Sequence, residues 1–123
     1  VWKEACMRDI AFTGFPSLVP ARLEGPVEEI SDQIKLYKSC GITGVDFLAY
    51  RHTAFDSVLM HNIVMNAPSI DFCIAGSVDS VEKIREIQNN KCAFFTIGSA
   101  FFENSFGKSF YEQVKSVSEF LGK

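Results

Sequence analysis

The chain has 123 residues, 47% of them hydrophobic, and a net charge of −3 at pH 7. That is enough chain for one domain with a real core, read here as residues 1–123, and a charge without basic excess argues against nucleic acid as principal partner. No apolar run approaches the roughly 20 residues of a bilayer span, so neither a membrane partner nor a signal peptide is expected.

The predicted elements alternate strand and helix four times. A first strand runs from about Asp9 to Gly14, followed by a loop with Pro16, Pro20, Gly25 and Pro26, the last suited to the first turn of a helix. Val27, Ile30, Ile34 and Tyr37 then recur at helical spacing until Gly41. The second strand spans Val45 to Tyr50, and its helix spans about Asp56 to Asn66, with Pro68 beyond its end. The third strand spans Ile70 to Ala75. Its helix opens with Asp79-x-x-Glu82, a capping-box pattern, and buries Val81, Ile84 and Ile87. The fourth strand spans Ala93 to Ile97, then comes a short turn from Ala100 to Glu103 and a last helix from Ser109, striped by Phe110, Val114, Val117 and Leu121.

This order predicts an α/β fold of parallel β–α units with right-handed crossovers, its apolar strands covered on both faces. Four such units are half of a TIM (β/α)8 barrel. A half-barrel alone exposes strand edges and an inner face. Three arrangements relieve that: the C-terminal half of a longer chain, a homo-oligomer or other partner, or a flattened flavodoxin-like sandwich. The first is preferred, because the phosphate site of such barrels follows the last two strands. A start at Val1 fits a fragment, a processed chain or an arbitrary boundary equally.

Two segments, Ile70 to Ser77 and Cys92 to Ser99, are built alike: an apolar strand stops at Gly-Ser before a helix-like stretch. Gly76 and Gly98 would let backbone approach an anion, and Ser77 and Ser99 add hydroxyls, so a phosphorylated small molecule is the expected ligand. The bland reading is that both glycines only permit tight turns. Tyr50-Arg51-His52-Thr53, with Asp56 beyond, ends the second strand where barrel enzymes keep catalytic groups. There His52 would move a proton and Arg51 would hold an anionic group, although strand alternation points them to opposite sides. Asp56 suits an N-cap as well as catalysis. Asp9 and Asp46 sit in or beside apolar strands, where a carboxylate needs a partner or a metal; Asp9 fits an inward-facing acid or a solvated strand end. Arg22 and Glu24 suit a lid, His61 the surface, and Trp2 the packing.

Cys6, Cys40, Cys73 and Cys92 lack metal-binding spacing and are read as reduced thiols at a cytoplasmic address, a Cys73–Cys92 disulfide being the alternative if their strands are neighbours.

Gly44-Val45-Asp46, His52-Thr53-Ala54-Phe55-Asp56, Ala75-Gly76-Ser77 and Ile97-Gly98-Ser99-Ala100 together resemble the C-terminal half of 3-hexulose-6-phosphate synthases and 3-keto-L-gulonate-6-phosphate decarboxylases, members of the orotidine-monophosphate decarboxylase group. The resemblance covers roughly Asp9 to Phe102. It implies a sugar-phosphate carbon–carbon lyase, decarboxylase or isomerase working through an enediolate-like intermediate, with His52 as proton relay. The chain departs from the pattern in one extra residue between Asp46 and His52, and in Ser77 and Ser99 where glycines are expected. The family's Asp-x-Lys-x-x-Asp motif would lie upstream of Val1. This chain would then carry no cofactor itself, and Mg²⁺ would belong to the intact barrel. Histidine-biosynthesis isomerases share the Gly-Ser turns. The competing class is a non-catalytic phosphate-ligand or regulatory half-barrel module.

Overall fold

A computed structural model describes residues 10–12, 22–54 and 56–122. The sequence readings that fall on Asp9, Trp2, Cys6, Gly14, Pro16 and Pro20 lie outside the described residues.

The described chain is α/β. Strands β1 (Ile10–Phe12), β2 (Gly44–Phe47), β3 (Asp71–Ile74) and β4 (Phe94–Phe95) form one parallel sheet in the order β1-β2-β3-β4. Helices α1 (Val27–Ser39), α2 (Ser57–Asn66) and α3 (Val81–Asn89) connect them, and a single turn, α4 (Ser99–Phe102), precedes α5 (Phe110–Phe120). The strand order follows the chain without reversal. A flavodoxin-like sheet reverses its order at a switch point, and none occurs among these four strands. No helix among the described residues is long and apolar enough to cross a membrane.

Local chemistry explains where most elements start and stop. Gly41, at φ +87°, closes α1 in a Schellman turn: its N–H donates to the Lys38 carbonyl and the Ile42 N–H to that of Tyr37. Asp56 caps α2, its Oδ1 accepting the Leu59 N–H at 2.8 Å. Ser109 and Glu112 form a reciprocal capping box on α5. The expected box at Asp79 and Glu82 is corrected. The cap of α3 is Ser80, whose hydroxyl accepts the Lys83 N–H at 3.3 Å, while Asp79 pairs with Lys83 at 2.9 Å.

The strands are shorter than their apolar runs. After Phe47, Leu48 takes φ −82°, ψ 49°, and Ala49–Arg51 wind into a 3-10 turn, closed by bonds from Arg51 N–H to Leu48 and from His52 N–H to Ala49. Tyr50, Arg51 and His52 thus leave the pleat, so their directions follow the turn and not strand alternation. Leu23, fully buried, docks there as a parallel bridge: its N–H donates to the Arg51 carbonyl and its carbonyl accepts the Thr53 N–H, both at 3.0 Å.

One core lies on one side of the sheet. Val45 and Phe47 of β2 pair in register with Phe72 and Ile74 of β3, and all four join Ile30, Ile34, Leu59, Met60, Ile63, Ile84 and Ile87. The alternate positions, Asp46, Cys73 and Phe94, also stand in register, but Phe94 is 47% exposed. Expecting both faces covered was therefore too broad for the described residues, whose helices cover one face. Cys73 and Cys92 are both free thiols.

Gln113 of α5 is fully buried. Its Nε2 donates to the Phe101 carbonyl at 2.8 Å and to Asn104 Oδ1 at 3.3 Å, and its Oε1 accepts the Phe106 N–H at 3.4 Å. Gln113→Leu keeps the volume but strands these groups, so a loss of about 1–3 kcal/mol is expected in urea unfolding.

Candidate functional site

Because the strands are parallel, their C-terminal ends share one edge of the sheet. The Ala75 N–H bonds the Phe47 carbonyl and the Thr96 N–H bonds the Ile74 carbonyl, which brings the segments after β3 and β4 side by side. A cavity of about 530 Å³ opens at this edge. Gly76, Ser77, Gly98 and Ser99 all line it, together with Arg51, Asp46 and Thr96. Its volume suits a small metabolite.

The two Gly-Ser corners are not equivalent. Gly76 and Ser77 are both left-handed, at φ +79° and +59°. A Cβ on Gly76 would sit 2.7 Å from Arg51 Nε and 2.9 Å from its Cδ, so the missing side chain makes room for the arginine. Arg51 Nε in turn donates to Ser77 Oγ at 3.2 Å. The guanidinium is thereby held against the corner at the cavity wall. At Gly98 a Cβ would meet nothing within 4 Å. One corner carries a fixed cation, and the other is open.

Asp46 lines the same cavity from β2. Burial pushes its carboxyl above the ordinary value, opposed by a hydrogen bond with the neighbouring Cys73 thiol. The Cys73 thiol is itself pushed up to about 11, by burial first and then by the Asp46 charge. A half-buried carboxyl with a raised pKa at a cavity wall is a group equipped to exchange a proton. The sequence carried a signal for it, a carboxylate inside an apolar strand, but its role went unassigned. Thr96, Asp79 and Glu103 had no signal; they line the cavity because of where β4 and the following turns run.

His52 goes elsewhere. It lines a separate cavity of about 470 Å³ with Asp56, Gly25 and Asn62. Its Nδ1 accepts the Ala54 N–H at 3.0 Å, which leaves Nε2 to donate to the Gly25 carbonyl at 2.7 Å. Both ring nitrogens are thus engaged by backbone. Arg22 and Glu24 flank Leu23, both exposed, and neither lines either cavity. Asp56 serves as the α2 cap. His61 is exposed on α2, its Nδ1 3.0 Å from Asn90 Oδ1 at the end of α3. The structure therefore unites Arg51 with Gly76, Ser77, Gly98 and Ser99, and separates His52 and Asp56 from them.

Among the described residues, no group of three or more His, Cys, Asp or Glu side chains is arranged to hold a metal ion. Neither a protein-family model, nor a curated protein, nor a solved structure matches the chain.

Proposed function

We propose that the cavity at the C-terminal edge of the sheet binds a phosphorylated polyol, with the phosphate between the two Gly-Ser corners and beside Arg51. The observation that carries this reading is the convergence of both corners and a fixed guanidinium on one cavity. Three carboxyl groups line the cavity, Asp46, Asp79 and Glu103, and they weigh against a ligand bearing several charges. Asp79 is compensated by Lys83 at 2.9 Å and Glu103 is exposed, so a single phosphate is accommodated while Asp46 and Thr96 meet hydroxyls.

The strand order β1-β2-β3-β4 and the one covered face support half of a (β/α)8 barrel, in which this edge is the active-site end. On that reading the chain belongs to a sugar-phosphate lyase or isomerase acting through an enediolate. The phosphate grip supplies binding energy remote from the reacting carbon, and Asp46 moves the proton there. A non-catalytic phosphate-binding module is the second reading. It is favoured by the placement of His52, whose ring is committed to backbone away from the cavity.

Gly98→Asp tests the site. The new Cβ meets open space, so the fold should persist while a carboxylate enters the cavity. Titration with glycerol 3-phosphate, followed by amide shifts of Ser77 and Ser99, should show at least tenfold weaker binding than in the unchanged chain. Equal affinity in the two proteins would overturn the assignment.

A further inference from the structure

Ser77 is a non-glycine residue in the left-handed region, a conformation that persists only where neighbours enforce it. Two cations bond to Ser77 here. Arg51 Nε donates to the Ser77 hydroxyl from the cavity side. From the other side Lys83, six residues on, donates from Nζ to the Ser77 carbonyl at 2.8 Å. Lys83 does not line the cavity.

The lysine is itself immobilised. Its N–H is bound to the Ser80 cap, and its ammonium pairs with Asp79 and lies 4.9 Å from the centre of the Tyr50 ring. Tyr50 is fixed in turn, its hydroxyl donating to Glu86 Oε2 at 2.8 Å and lying 3.1 Å from the Lys83 carbonyl. The first turn of α3 and the turn after β2 are thereby joined through one side chain to the backbone of the corner.

We infer that Lys83 is a positioning residue for the anion site: it holds Ser77 left-handed, so that the Gly76-Ser77 corner is shaped for phosphate before the ligand arrives. This rests on the phosphate reading above. A preformed corner spares the ligand the cost of ordering the loop, and that saving appears directly in affinity.

Lys83 also neutralises Asp79, which does line the cavity, so a charge effect must be separated from a positioning effect. Lys83→Met, Lys83→Arg and the double variant Lys83→Met/Asp79→Asn make that separation. Each is titrated with inorganic phosphate and with glycerol 3-phosphate, and the φ of Ser77 is read from backbone couplings. In Lys83→Met, affinity should fall at least tenfold and Ser77 should leave the left-handed region. Arginine should restore both, and the double variant should stay weak. Full affinity in the double variant would reduce Lys83 to a charge partner and overturn the inference. So would a Ser77 that remains left-handed in Lys83→Met with affinity intact. If the unchanged chain binds neither probe, the phosphate reading itself falls, and the role given to Lys83 falls with it.

Discussion

Gly76→Ala is expected to destabilise the chain by about 2–3 kcal/mol and to abolish phosphate binding, whereas Gly98→Ala should do neither. Two separate costs meet at Gly76. At φ +79° an alanine is strained by its own backbone, and its Cβ would also lie 2.7 Å from Arg51 Nε. The arginine has to move, which breaks its bond to Ser77 Oγ and withdraws the cation from the cavity. Stability and binding should therefore fall together. At Gly98 the backbone has negative φ and the Cβ meets nothing within 4 Å, so alanine adds only a methyl to open space. Urea midpoints and glycerol 3-phosphate titrations of both variants check this. A neutral Gly76→Ala would mean that Arg51 does not rest on the corner in solution.

Asp46→Asn should raise stability at neutral pH and, on the enediolate reading, lower activity. Burial raises the folded-state pKa of Asp46 above 3.8, so the folded chain favours the protonated carboxyl. The contribution of this group to stability is therefore greatest below 3.8 and declines as pH rises through the folded value. Asparagine removes that decline. The variant should be more stable than the parent at pH 7 and no more stable at pH 3, as measured by urea midpoints at the two pH values. If Asp46 moves the proton of an enediolate, the same substitution should slow exchange of the carbon-bound hydrogen of a ketose phosphate in D₂O by about 10²–10⁴-fold, read by proton NMR. Greater stability with exchange unchanged would make Asp46 a buried liability without a catalytic role. A site that gains stability on losing its chemistry is the usual trade-off of a functional position.

The alternation of strand and helix was legible because it depends on local spacing. Ile30, Ile34 and Tyr37 mark one face of a helix wherever that helix packs, and Gly41 stops it by its own φ. Asp56 likewise reads as a cap from its position alone. Strand ends were less legible. Val45 to Tyr50 reads as one strand, apolar except for Asp46, but Leu48 turns the chain out of the pleat, and that turn sends Arg51 to one cavity and His52 to another. Asp79-x-x-Glu82 matched a capping pattern, yet Ser80 competes for the same role and leaves Asp79 to Lys83.

From sequence alone came the kind of fold, the order of its elements and the two Gly-Ser corners, since each depends on periodicity or on the conformational range of a single residue. Tertiary structure decided which groups meet. The Asp46–Cys73 pair needs the register of two strands, and the grip of Arg51 on Gly76 and Ser77 joins residues 25 or more positions apart. Gln113 serves a loop that its own helix does not contain. Such encounters follow from the free energy of packing the whole chain, to which no local spacing gives access.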